Sequence, residues 1–351
     1  MAPAFDWESV QQMSALIDDL PGHLAPYALT SGGGLHTDLG DWHATTMARH
    51  CDTAGEFSLQ RIDLPGGSAS PFMTVPGHTF IHVLEGELTI RFETGTQRLI
   101  GGDSASIPER TPFALAAGAA LNSFYLYTTD DWLQRLAERA GTPTASHVFT
   151  RRPARTFSAL LAAELADAAG VHLVEADADG RPLPPRAGLP GGAEPFATKA
   201  GGGDRYETYQ QINAYPVRAR NTGGRFFAMD TRGAKAPYIP LHFHREHSEN
   251  FLCLAGRVGL YANGTEIVLG PGDFLHAPAG TIHSFSLRGN NTHMLGLLTP
   301  PVFEPFFEYM NTPTEAIVHE EGGQPHFPAE GFARAQAELD LVVVGPPPHT
   351  A

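Results

Sequence analysis

The sequence predicts an all-β chain of two equivalent domains, each a double-sheet jelly roll or barrel of short strands with a few flanking helices. Three observations lead there. The length, 351 residues, exceeds one domain of typical size and suits two of ~150 residues each. An internal repeat keeps a constant offset of 170: Leu84-Glu85-Gly86-Glu87-Leu88 recurs as Leu254-Ala255-Gly256-Arg257-Val258, the run from Gly101 to Pro108 as that from Pro271 to Pro278, and Thr142-Pro143-Thr144 as Thr312-Pro313-Thr314. Self-similarity of this kind fixes architecture more firmly than local propensity. Lastly, apolar residues alternate over short runs, and 38 Gly and 29 Pro supply the turns that end them.

From the N-terminus, Trp7, Val10, Met13, Leu16, Ile17 and Leu20 behind the cap candidate Asp6 predict a helix. Phe80, Ile81, Val83, Leu88, Ile90 and Phe92 predict strands of the first copy. Trp132, Leu133, Leu136 and Ala137 after Asp130 predict a second helix, and Ser158 to Ala169 a third that packs on the first domain. Residues 171–195, with Leu183-Pro184-Pro185 and Gly188-Leu189-Pro190-Gly191-Gly192, predict a linker. In the second copy, strands through Phe251, Leu252, Leu254, Val258 and Leu260 turn at Asn263-Gly264 into Glu266-Ile267-Val268-Leu269. Phe303, Phe306, Phe307 and Met310 after Pro301 predict a last helix. The expected domains are therefore 1–170 and 196–351, joined by 171–195.

Composition narrows the function classes. Hydrophobic residues at 42% with 9% aromatics exclude a disordered chain. A net charge of −15 repels phosphate backbones and anionic headgroups, so neither nucleic acid nor membrane is an expected partner. Cys51 and Cys253 are too few for a disulfide framework or a thiolate zinc site. The opening residues lack a basic n-region and an apolar h-region, and no run approaches the ~20 apolar residues of a membrane span. A cytoplasmic protein is expected. Barrel folds often pair through sheet faces, which makes a homodimer one expectation.

Histidine points to the chemistry. Six of the 17, namely His242, His244, His247, His276, His283 and His293, lie between 242 and 293, where a uniform spread would place about 2.5. On a strand, His242 and His244 share a face, Glu249 follows after a short bend, and His283 arrives from a later strand. Three neutral imidazoles and one carboxylate suit one first-row divalent ion per chain, from Mn, Fe, Co, Ni, Cu or Zn, and leave room for water, dioxygen or substrate. Alternation along the strand would put His276 on the inward face with Phe274 and Pro278, His247 would be solvated or an outer support for the ligands, and His293 would lie at the surface.

These residues resemble the cupin superfamily. Its first motif, G(x)5HxH(x)3-4E(x)6G, is matched by His242, His244, Glu249 and Gly256, and its second, G(x)5PxG(x)2H(x)3N, by Gly272, Pro278, Gly280 and His283. The leading Gly of the first falls on Ala236 and the closing Asn of the second on Leu287, neither of them a ligand position. The resemblance implies a bicupin, two jelly-roll β-barrels, with His242, His244, Glu249 and His283 as metal ligands. In the first copy the equivalent positions hold Phe72, Thr74, Thr79 and Phe113, so the N-terminal cupin is expected to be degenerate and metal-free. His78 and His82 read there as hydrogen-bonded, surface or partly buried histidines.

The second copy also resembles the quercetin dioxygenases (flavonol 2,4-dioxygenases), bicupin enzymes that open flavonols with O2. The likeness runs through Glu249-Asn250-Phe251, Gly256-Arg257, Gly272-Asp273, His283-Ser284-Phe285, Met294-Leu295-Gly296 and Phe303-Glu304-Pro305-Phe306-Phe307, and upstream through Ala228-Met229-Asp230-Thr231. In fungal members the well-formed metal site is in the first cupin; here it is in the second. By this resemblance Met229, Thr231, Phe251, Phe285, Met294, Leu298, Phe303 and Phe307 line the substrate cavity, Glu249 takes the proton of an enolic hydroxyl, and O2 adds with loss of carbon monoxide. The expected function is metal-dependent dioxygenation of a flavonol-like aromatic substrate. Two other classes share the ligand set: a cupin isomerase or oxygenase acting on a different small molecule, and a non-catalytic cupin that binds a small molecule through its metal.

Overall fold

The computed structural model describes residues 6–147, 149, 153, 155–161, 168–176, 180–184, 186, 188–208, 210–321 and 327–348. Its contacts divide the chain into two compact units, Gly34–Gly201, and the residues up to Gly33 together with those from Gly202 onward.

Each unit is a jelly-roll pair of sheets and not a single closed barrel. In the first, an eight-stranded sheet and a three-stranded sheet centred on Glu87–Phe92 share one core, in which Ile62, Ile81 and Leu126 of the large sheet meet Leu88, Ile90 and Leu115 of the small one. Strand Glu87–Phe92 shows the period of two that produces this: Leu88, Ile90 and Phe92 are buried and the residues between them half-buried. In the second unit a nine-stranded sheet faces a five-stranded one, with Phe251, Cys253 and Leu275 packed against Val258, Leu260 and Leu269. The predicted hairpin is present between Val258–Ala262 and Thr265–Leu269. Its turn residues Asn263 and Gly264 both have positive φ, 43° and 90°, as a two-residue hairpin turn of the right twist requires.

The repeat exchanges its strands. Tyr27–Leu29 pairs antiparallel with Phe274–Ala277 in the second unit, Tyr27 opposite His276. Phe196–Thr198 pairs with Ser104–Ile107 in the first, Phe196 opposite Ser106. Each inserted strand is fastened alike: the Ser31 N–H donates to Asp273 Oδ1 at 2.6 Å and the Ala200 N–H to Asp103 Oδ1 at 2.9 Å. Pairing satisfies backbone groups that a sheet edge leaves open. The boundaries consequently differ from the expected 1–170 and 196–351, since the residues before Gly34 join the second unit and 196–201 join the first. Nor is 171–195 a free linker. His172–Leu173 pairs with Met73–Thr74, and the Leu183 N–H donates to the Thr96 carbonyl at 2.8 Å; its residues 177–179, 185 and 187 lie outside the described residues.

The helices follow the sequence unevenly. Trp132–Ala140 and Pro305–Met310 are helical, the latter after a 3-10 turn at Pro301–Phe303. The first helix spans only Trp7–Gln11, with Asp6 capping the Ser9 N–H. Leu16–Ile17 is instead a short parallel strand beside Tyr27–Leu29, because the Leu16 and Asp18 N–H groups are taken by the carbonyls of Pro26 and Ala28. Of the helix expected over Ser158–Ala169, Phe157–Leu160 is seen, with Phe157 stacked on Trp42 at 3.8 Å; residues 162–167 lie outside the described residues. A helix at Ala329–Glu338 and a strand at Leu341–Gly345 were not predicted. No helix among the described residues is long and apolar enough to cross a membrane.

Candidate metal centre

Two sheets of the second unit supply the site. Strand Leu241–His244 of the five-stranded sheet carries His242 and His244 on one face, and His283, first residue of His283–Leu287, lies directly opposite His242. Glu249 comes from Ser248–Ala255 of the facing sheet. The four residues named from the sequence converge: His283 Nε2 is 3.2 Å from Glu249 Oε2 and His244 Nε2 3.5 Å from Glu249 Oε1. A nitrogen from each of His242, His244 and His283 lies within 4.8 Å of the others, and His244, His247 and Glu249 form a second such trio. Both trios belong to this one centre, and the described residues hold no other.

Hydrogen bonds orient the rings. His242 Nδ1 meets the Pro240 carbonyl at 2.9 Å and His283 Nδ1 the Thr281 carbonyl at 2.8 Å. That assigns the proton to Nδ1 and leaves the Nε2 lone pair towards the centre. His244 is 2% exposed, and neither of its ring nitrogens has a hydrogen-bond partner among the described residues. A buried imidazole left in this state fits a metal ligand, and so does the donor set as a whole.

The electrostatics favour deprotonated donors. Burial, with the neighbouring His283, pushes His242 down to about 3, and burial with His247 beside it lowers His244 well below its ordinary value. For Glu249 burial acts upward, but the hydrogen bond from His247 and the neighbouring imidazoles overcome it and hold the carboxyl well below the usual carboxylate range. His247 goes the other way. Burial would lower it, yet hydrogen bonds to Asp340 and Glu249 push it up to about 9. Neutral imidazoles around an ionised carboxylate are the protonation states that metal binding needs.

The residues read as pocket-lining fall into two groups. Phe303 packs its ring 4.5 Å from His244 and 4.9 Å from His247, and Phe251 lies 6.2 Å from His283 and 6.4 Å from Phe285. Leu298 stands opposite Glu249 in the sheet. Phe303 and Phe251 thus lie against histidine rings, with Phe285 against Phe251 and Leu298 across from Glu249. Met229 is in the next row, opposite Gly296, and Met294 and Thr231 pair one row further out, where the Thr231 hydroxyl donates to Asn213 Oδ1 at 2.8 Å. The Phe307 ring lies 6.5 Å from Phe303, 6.0 Å from Tyr215 and 6.1 Å from Phe227.

Other expectations change. His276 does not face the centre: it stands opposite Asn250 and Tyr27, and its Nδ1 meets Asn250 Oδ1 at 2.8 Å, whereas Leu275 and Ala277 share the face of Phe251 and Glu249. Of the two places expected for His247 it takes the second: it is fully buried, held by Asp340 Oδ2 at 2.7 Å, with its Nε2 3.5 Å from Glu249 Oε1. His293 is half-buried and meets Asp230 Oδ2 at 2.9 Å. Asp340 escaped the sequence reading altogether. Its only signal is an acid just before the β-branched run Val342-Val343-Val344.

Comparison with known proteins gives consistent matches. Residues 232–298 match the cupin domain family. The chain is 33% identical over 305 residues to the quercetin 2,3-dioxygenase of Bacillus subtilis, covering 85% of this chain and 90% of that protein. It is 30% identical over 116 residues to the quercetin 2,3-dioxygenase of Aspergillus japonicus, covering 31% and 33%. Among solved structures, an oxalate decarboxylase studied for its reaction-specificity switch aligns with a TM-score of 0.51 at 12% identity over 77% of this chain and 76% of that one. A formate complex of the Lactobacillus farciminis oxalate decarboxylase aligns with a TM-score of 0.51 at 11% identity over 78% and 86%. These two share the fold.

Proposed function

The chain belongs to the bicupin family of quercetin 2,3-dioxygenases, and from that premise we propose that it is a dioxygenase that opens a flavonol-like aromatic substrate with O2. It is a cupin metalloenzyme with a divalent metal cofactor. In our reading His242, His244, Glu249 and His283 hold the metal. When bound, the metal supplies Lewis acidity that makes a hydroxyl beside it easier to deprotonate.

The residues do the rest. Glu249, kept ionised by His247 and His283, accepts the proton of the substrate's enolic hydroxyl on a carboxylate oxygen. Phe251, Phe285 and Phe303 offer flat apolar surfaces for a planar ring and exclude water from it. The observation that carries the reading is the convergence of three buried imidazoles and one carboxylate beside these rings.

Metal analysis of the purified protein, coupled to O2 uptake with a panel of flavonols, tests it. O2 consumption matched by carbon monoxide release and dependent on bound metal is the expected result. Turnover that continues without O2 would replace this reading with a cupin isomerase or hydrolase.

A further inference from the structure

We propose that Asp340 is the positioning carboxylate of the metal centre, steadying His244 and His247 together from outside the ligand set. The proposal rests on the ligand set above and not on its substrate. A histidine that coordinates through one ring nitrogen keeps its proton on the other, and that N–H needs an acceptor to fix the ring. For His242 and His283 the main chain serves, through the carbonyls of Pro240 and Thr281.

His244 lacks such a carbonyl. Its Nδ1 lies 3.8 Å from Asp340 Oδ1, and neither atom has a hydrogen-bond partner among the described residues. Both side chains are buried, at 2% and 4% exposure. Two complementary buried groups are thus left near each other, about 0.6 Å beyond the upper end of N–H···O bonding distances. The second oxygen of the same carboxylate is already engaged: Oδ2 accepts from His247 Nδ1 at 2.7 Å and from the Glu246 N–H at 3.1 Å. The main-chain bond fixes the carboxylate, and His247 Nε2 then lies 3.5 Å from Glu249 Oε1. Asp340 therefore reaches the imidazole ligand His244 through one oxygen and the carboxylate ligand Glu249, by way of His247, through the other.

The fold accounts for its arrival. Helix Ala329–Glu338 ends just before it, and strand Leu341–Gly345 pairs with the strand of the first two histidines, Leu341 opposite His244. Residues far outside the metal motifs thus complete the centre.

The test uses the full chain, stripped of metal and refilled with Co(II) alone. Affinity is measured by competition with a chelator, and the ligand-field spectrum reports the geometry. Asp340→Asn should bind Co(II) about 10- to 100-fold more weakly, the usual effect of losing an outer partner, and shift the spectrum, while the circular dichroism of the metal-free protein stays that of wild type. Val343→Ala, on the same strand, should bind within about twofold of wild type. Asp340→Asn that keeps affinity and spectrum overturns the proposal, as does Val343→Ala that loses as much, since the packing of the strand would then be responsible. Should Asp340→Asn fail to fold, His247→Gln decides: a shifted spectrum supports the proposal and an unchanged one overturns it. A wild-type protein that binds Co(II) but takes up no O2 with flavonols would sink the dioxygenase reading and leave Asp340 in its role.

Discussion

The two copies of the repeat put opposite chemistry at the same positions. Where the second unit has His242, His244, Glu249 and His283, the first has Phe72, Thr74, Thr79 and Phe113, and Phe113 is fully buried in an apolar core with Met73, Val75 and Ile81. His78 and His82 pair with the hydroxyls of Ser106 and Ser104 at 2.8 and 3.0 Å. An Arg–Asp pair on the equivalent strands runs in opposite order. Arg61 and Asp63 pair at 3.1 Å beside Ser123 in the first unit, and Asp230 and Arg232 pair at 3.0 Å beside His293 in the second. A jelly roll can close its interior on carbon or hold polar donors there. The second course sacrifices stability, because each buried polar group left unpaired costs on the order of 1–3 kcal/mol, and it yields a place where chemistry can occur.

The comparison breaks if metal follows the fold and not these residues. Replacing His242 and His244 together by Ala should reduce bound metal to none by elemental analysis; full occupancy would place it elsewhere, the first unit included. Next in size, Glu249→Gln should keep much of the metal on three histidines and lower turnover per bound metal by ~10²-fold or more, the scale of a positioned base. An unchanged rate per metal would leave Glu249 a ligand only and move the search for the base to His247. Phe251→Leu or Phe285→Leu should raise KM for a flavonol about 2- to 10-fold, from the ~0.5–1.5 kcal/mol of an aromatic contact, with metal content unchanged. Phe113→Leu should lower thermal stability without touching KM, and a KM effect there would mean that the first unit also meets substrate.

The smallest effect concerns the reversed ion pair. Burial acts to raise the Asp230 carboxyl, but bonds from His293 and Arg232 hold it at about 2, below its ordinary 3.8. Its contribution to stability is therefore complete above its unfolded value and lost as pH falls through about 2. Asp230→Asn should leave neutral-pH activity alone and flatten the loss of stability between those two values, read from urea midpoints. Equal acid slopes in variant and wild type would remove Asp230 from the account.

The clustering of the candidate ligands was legible because a strand keeps alternate residues on one face and the spacing of His242, His244, Glu249 and His283 is tight. His276 was misplaced for a related reason. Every residue of Phe274–Ala277 is buried, so both faces look alike and alternation has no phase. The helix expected through Leu20 fell short because local periodicity cannot register the strand partner Tyr27–Leu29. Asp340 is separated from its partners by about ninety residues and carries no spacing signal. Nor could the repeat say which copy receives which strand, since Tyr27-Ala28-Leu29 and Phe196-Ala197-Thr198 are alike in character.

Strand exchange has a cost during synthesis. Tyr27–Leu29 leaves the ribosome about 250 residues ahead of Phe274–Ala277, and at ~5–20 residues per second it waits on the order of 10–50 s for its partner. The edge at Ser104–Ile107 emerges much sooner, before its own partner Phe196–Thr198 exists. For that interval the nascent chain holds a strand without its edge and an edge without its strand, and their early union is the trap that the finished protein has to avoid.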